Sequence, residues 1–84
     1  MSKKHDKTLQ AVFEDPGRAN IPWRDIVTLF ESLGAEVTEG EGSRVRVALN
    51  EVRAVFHRPH PQKETDKGTV RSVRRFLTEA GVTP

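Results

Sequence analysis

Apolar and polar positions change rhythm twice along this chain. Within residues 4–14, Leu9, Val12 and Phe13 fall at helical spacing, and Asp15-Pro16-Gly17 stops the run. Asn20-Ile21-Pro22-Trp23 opens a second helix, with Asn20 or Ile21 at the cap. Pro22 suits the first helical position, where its missing N–H is not needed. Trp23, Ile26, Val27, Phe30 and Leu33 lie on one face of that helix, and Gly34 stops it. From residue 35 to 57 the rhythm switches to period two. Residues 35–38 form a short strand candidate and residues 39–42 a turn. Val45, Val47 and Leu49 then alternate with Arg44, Arg46 and Ala48. After an Asn50-Glu51 turn, Val52, Ala54 and Phe56 alternate with Arg53, Val55 and His57. This is the pattern of an antiparallel hairpin with one buried and one wet face. Residues 58–67 read as a loop, since Pro59 and Pro61 deny it a ladder or a helix. The last helix is expected from Gly68 or Thr69 to Ala80. Val70, Val73, Phe76, Leu77 and Ala80 form its apolar face, Arg71, Arg74 and Arg75 its polar face, and Gly81 its stop. Asp66 or Thr69 caps its start.

The predicted order is helix, helix, three strands, helix. The apolar side of the sheet needs cover, and the amphipathic helices are the available cover. The expectation is a two-layer α+β fold with a three-stranded antiparallel sheet packed by helices on one face, the arrangement of double-stranded-RNA-binding folds. Residues 20–84 carry that domain, and residues 1–19 are an N-terminal helical extension.

Composition narrows the picture. Eighty-four residues suffice for one domain with a modest core. The absence of cysteine removes disulfides and thiolate metal sites. No apolar run approaches membrane-spanning length, and no apolar segment follows the basic start Lys3-Lys4, so neither a membrane partner nor a secretory signal is expected and the location read is cytoplasmic. The net charge is only +2, but it is unevenly placed. Residues 1–42 hold five Lys/Arg and eight Asp/Glu, a net of −3; residues 43–84 hold nine and four, a net of +5. A basic half on a small domain suits a phosphate-binding face or, equally, a solvated Arg-rich surface.

Three places can carry chemistry. His57 ends the third strand, and His60 follows between two prolines. Imidazoles titrate near neutrality and can fill the base and acid roles of RNA cleavage, or simply cap loop carbonyls. Two histidines without a third ligand make a poor metal site, so no metal and no other cofactor is expected. Ser43 and Arg44 open the first hairpin strand after Gly42, with Arg46 two residues on. A hydroxyl and guanidinium groups there can hold phosphate. Lys67 and Arg71 flank the start of the last helix, whose free N–H groups favour an anion. The five aromatic residues fall at apolar-face positions, which argues against a base-stacking platform.

Together these segments resemble the HicA family of bacterial toxins. The likeness runs from Trp23 to Ala35, through Gly42-Ser43-Arg44 and Phe56-His57, and from Lys67 to Val82. The Gly-Ser strand entry and the Gly68-Thr69-Val70-Arg71-Ser72 helix ending in Ala80-Gly81 carry most of it. The resemblance implies a ribosome-independent mRNA interferase, active without metal, whose partners are mRNA and a HicB-like antitoxin protein that covers the active surface. In the family the catalytic histidine directly follows Gly-Ser, and here that position is Arg44. Arginine stays protonated and cannot act as a general base. Either His57 and His60 have taken over proton transfer, or the chain is an attenuated toxin, or it binds nucleic acid without cleaving it. A protein-interaction domain for an acidic partner is a third class of reading.

Overall fold

The computed structural model describes residues 3–14, 20–59 and 63–84. Its elements are α1 (Lys3–Val12), β1 (Ile21–Pro22), α2 (Trp23–Ser32), β2 (Glu36–Glu39), β3 (Arg44–Leu49), β4 (Val52–His57), β5 (Glu64–Thr65) and α3 (Lys67–Glu79). β2, β3 and β4 form an antiparallel sheet in that order. Period-two alternation sends Val45, Val47, Leu49 and Phe56 inward, where they pack with Ile26, Phe30, Val73 and Leu77 of the helices. Arg44, Arg46, Arg53, Val55 and His57 stand on the other, open face. The two-layer α+β fold expected from the sequence is the fold observed, with α2 and α3 on one side of the three-stranded sheet and α1 packed on α2 and α3.

The centre of the core is aromatic. Phe56 lies 5.7 Å from Phe30, 5.8 Å from Phe76 and 6.2 Å from Trp23, ring centroid to centroid. The last two phenylalanine pairs of this cluster, Phe30–Phe76 and Phe56–Phe76, meet edge to face, as ring quadrupoles prefer. α2 is buried on more than its predicted stripe. Leu29, outside that stripe, is fully buried, because α2 is covered by the sheet on one side and by Leu9 and Val12 of α1 on another.

Both long connections close as glycine stops. Gly34 and Gly81 take φ of +88° and +82°, and the residues after them reach back, Ala35 N–H to Phe30 O at 3.0 Å and Val82 N–H to Leu77 O at 2.8 Å. These are the two Schellman turns that a glycine after each helix foretells. Asn50 and Glu51 form the two-residue turn between β3 and β4 with φ of +50° and +68°. The Asn50 amide donates to Ala80 O at 2.8 Å, latching the hairpin turn to the end of α3.

Two local expectations are corrected. Pro22 is not inside the helix. It caps α2 from an extended conformation, φ −57° and ψ 128°, and belongs with Ile21 to β1. The stretch read as an open loop holds β5, which pairs antiparallel with β1, Ile21 opposite Thr65 and Pro22 opposite Glu64. Pro22 is tolerated because the ladder's remaining bonds come from its neighbours: Asn20 N–H to Thr65 O and Trp23 N–H to Lys63 O, both 3.0 Å.

Arg74, placed on the polar face of the last helix by its spacing, turns inward instead. Its Nε donates to Val12 O at 2.9 Å and its Nη2 to Glu14 O at 2.6 Å. A guanidinium thus satisfies carbonyls at the end of α1, where helix polarity also favours a cation.

Candidate nucleic-acid interface

The open face of the sheet is built by the ladder register. Arg44 pairs with His57, Arg46 with Val55, and Ala48 with Arg53. β2 adds Glu36 beside Ala48 and Thr38 beside Arg46. Side chains directly opposite on one face stand about 5 Å apart at Cβ, so Arg44 and His57 are neighbours on this face. Among the described residues no carboxylate pairs with Arg44, Arg46 or Arg53 within ion-pair distance. Three cations against the single carboxylate of Glu36 leave this face net positive, which favours an anion from outside. A concavity of about 480 Å³ lies on this face, edged by Glu36, Thr38, Arg46, Arg53 and Val55. Val55 is 56 % exposed, the large apolar side chain that the fold leaves uncovered among the described residues.

The end of the face is where the polar groups converge. Ser43 Oγ lies 3.4 Å from His57 Nδ1, an exposed contact whose donor depends on the imidazole tautomer. The ladder runs one step further, with Arg58 N–H donating to Ser43 O at 2.7 Å. The Arg58 guanidinium donates to Glu39 Oε1 at 3.3 Å. The structure therefore brings Ser43, Arg44 and His57 together, with Arg46 further along the face. His60 lies outside the described residues.

Lys67 and Arg71 occupy a different layer. They are exposed on α3, which covers the inner side of the sheet. The latch from Asn50 to Ala80 fixes the direction: the C-terminal end of α3 lies at the hairpin turn. A helix of 13 residues and a strand of six are each about 20 Å long. The start of α3 therefore lies toward the His57 end of β4. Lys67 shares an end of the molecule with Ser43, Arg44 and His57, but not a surface.

The start of α3 is also already occupied. Asp66 is its N-cap, and the Thr69 hydroxyl donates to Asp66 Oδ1 at 2.5 Å. The two candidate capping residues act as a pair. A Cβ on Gly68 would meet Asp66 Oδ2 at 3.3 Å, so the carboxylate sits over the first turn, where an incoming phosphate would compete with it. The Thr69 hydroxyl holds the Asp66 carboxyl below its ordinary 3.8, against the slight opposing effect of burial. A value depressed in the folded state stabilises the fold above about pH 4, and the gain is lost as pH falls through the folded value. Asp66→Ala, which removes the exposed Thr69 contact and a carboxylate at the start of α3, is expected to lower stability modestly at neutral pH, with the deficit shrinking in acid. Urea unfolding of both proteins at neutral pH and near pH 3 checks this, and an equal deficit at both would contradict it.

Sequence reasoning did not single out Thr38 and Glu36, because nothing in residues 35–39 fixes which strand they meet. It also left the exposure of Val55 unmarked, since an isolated valine in an alternating strand is unremarkable until its partners are known.

Among the described residues, no helix is long and apolar enough to cross a membrane. No curated protein and no solved structure matches the chain. One protein-family model does, described as the HicA toxin of bacterial toxin–antitoxin systems, and it spans residues 23–82. That span takes in α2, the three-stranded sheet, the Ser43–Arg44–His57 cluster and α3, and leaves α1 and β1 outside. It is well over half of the chain, and the chain belongs to the HicA family, the toxins of bacterial toxin–antitoxin pairs.

Proposed function

We propose that this toxin is an endoribonuclease that cleaves mRNA in the cytoplasm without a metal ion and is held in check by a HicB-like antitoxin protein. The observation that carries the proposal is the clustering of Ser43, Arg44 and His57 at one end of a basic, unpaired sheet face. Cleavage of RNA at the ribose 2′-oxygen needs a base, a cation for the charge that grows on phosphorus, and an acid for the departing 5′-oxygen. His57 has the chemistry for proton transfer. Arg44 stands across the ladder from it, with the fork that matches two phosphate oxygens. Ser43 fixes the imidazole through Nδ1, which leaves Nε2 to exchange the proton. Arg46 extends the phosphate track along β3, and Lys67 and Arg71 extend it around the end of the molecule. His60 is assigned the second proton-transfer role.

The second reading, RNA binding without cleavage, rests on Arg44 itself. It occupies the position directly after Gly42-Ser43, and an arginine there contributes charge but no proton transfer. Arg44→His separates the two readings. If the surrounding geometry still supports proton transfer, cleavage of a labelled RNA in the presence of EDTA should rise at least tenfold. An unchanged rate together with unchanged, steeply salt-dependent RNA binding would favour the non-catalytic reading.

A further inference from the structure

A second basic concavity lies around the corner from His57. It has a volume of about 650 Å³ and is formed where the chain leaving β4, at Arg58 and Pro59, faces the start of α2, at Trp23, Arg24 and Asp25, with Lys63 and Glu64 closing one side. Its cations outnumber its anions: Lys4, Arg24, Arg58 and Lys63 against Asp25 and Glu64. Lys4 is neutralised by Asp25 at 3.4 Å, and Arg58 is engaged by Glu39 at 3.3 Å. Arg24 and Lys63 are both exposed, and no ion pair is recorded for either among the described residues. The wall between them is apolar, made by Pro22, Pro59 and the accessible margin of Trp23, which is 7 % exposed. The first turn of α2 adds its N–H groups, to which Pro22 at the N-cap offers no hydrogen-bonding side-chain group, while Asp25 in the same turn offsets part of their positive potential.

We propose that this basin is a nucleotide subsite for the RNA strand flanking the cleaved bond. Arg24 and Lys63 hold a backbone phosphate there, and the Pro22–Trp23–Pro59 wall receives the attached nucleoside. The assignment rests on the RNA-cleaving reading of the His57 end, which it extends by one direction. The chain itself marks the path, since His57, Arg58 and Pro59 are consecutive and lead from one site into the other. A strand lying across Arg44 and His57 needs only to follow β4 past its end to enter the basin. Because the basin holds the strand and not the reacting atoms, it governs affinity and the length of RNA required, not the chemical step.

Trp23 is the single tryptophan of the chain, so its fluorescence reports on the basin directly. Titration of the full-length protein with a short single-stranded oligoribonucleotide should change Trp23 emission. The double variant R24A/K63A should lose that change, bind the same RNA about tenfold more weakly, and show a shallower dependence of affinity on salt. Its cleavage rate at saturating RNA should equal that of the parent. R46A should weaken binding but keep the Trp23 response. If R24A/K63A binds RNA as the parent does, the basin assignment falls while the RNA reading of the sheet face stands. If the parent protein binds no RNA by an independent filter or anisotropy measurement, both fall together. A Trp23 response to poly-glutamate but not to RNA would overturn the assignment in favour of an acidic polypeptide.

Discussion

Replacement of His57 by alanine is expected to reduce RNA cleavage by about 10²–10⁴-fold, the usual yield of a positioned proton-transfer group, while RNA affinity stays close to that of the parent. The side chain is exposed at the end of an edge strand, so the change leaves no cavity in the core. Its polar contact is with the half-buried Ser43 hydroxyl, 3.4 Å away. Stability should therefore move by no more than about 0.5 kcal/mol. The phosphate contacts assigned to Arg44 and Arg46 remain, so binding should persist. Single-turnover cleavage at saturating protein, beside an anisotropy titration, reads the two quantities separately. A rate within threefold of the parent in H57A would remove His57 from the chemistry, and with it the catalytic use of the Ser43–Arg44–His57 cluster. Ser43→Ala is the gentler companion. Loss of a single exposed orienting contact should cost only a fewfold in rate.

The largest effect on stability is expected at Phe56→Ala, about 3–5 kcal/mol, the range for removing a buried aromatic ring. Phe56 touches the rings of Trp23, Phe30 and Phe76, and so joins α2, β4 and α3 through one side chain. A domain of this size has roughly 4–12 kcal/mol in total, so the loss is about a quarter of it or more and the urea midpoint of F56A should fall far below that of the parent. Phe56→Leu retains much of the volume and should cost about half as much. Urea titration followed by Trp23 emission measures both, because that indole is part of the same cluster. A midpoint for F56L indistinguishable from that of the parent, with F56A far below both, would show that the ring contacts contribute little beyond filling space. Phe56 also precedes His57, so rates for either variant are meaningful only where it remains folded.

The parts of the fold that were legible in the sequence are those where one period governs a whole segment. Val45, Val47 and Leu49 against Arg44 and Arg46 state both faces of β3, and Val70, Val73, Phe76 and Leu77 state the buried side of α3. Gly34 and Gly81 state where helices end, since both backbones adopt positive φ there. The parts that were not legible depend on partners distant in the chain. A two-residue strand carrying a proline has no pattern of its own, so β1 and β5 emerge only when Ile21 and Thr65 are seen side by side. The use of Arg74 could not be read from its place on a helical wheel, because its acceptors lie 62 and 60 residues earlier. The cluster at the sheet end was legible in its residue types. Its geometry was not: alternation puts Arg44 and His57 on one face, but only the register makes them neighbours. The same register assigns Lys67 and Arg71, through α3, to another layer.

The grip of Arg74 on Val12 and Glu14 bears on how this toxin comes into being during translation. α1 is made before α2 and α3; Leu9 and Val12 can pack on α2 as soon as it forms, but the carbonyls of Val12 and Glu14 meet their donor only when α3 has been made. A growing chain that has left the ribosome only as far as β4 holds a sheet whose inner surface has α2 as its cover and not yet α3, and an α1 whose last carbonyls still lack the Arg74 clasp. Completion of the core is thus left to α3, whose Arg74 joins it to α1.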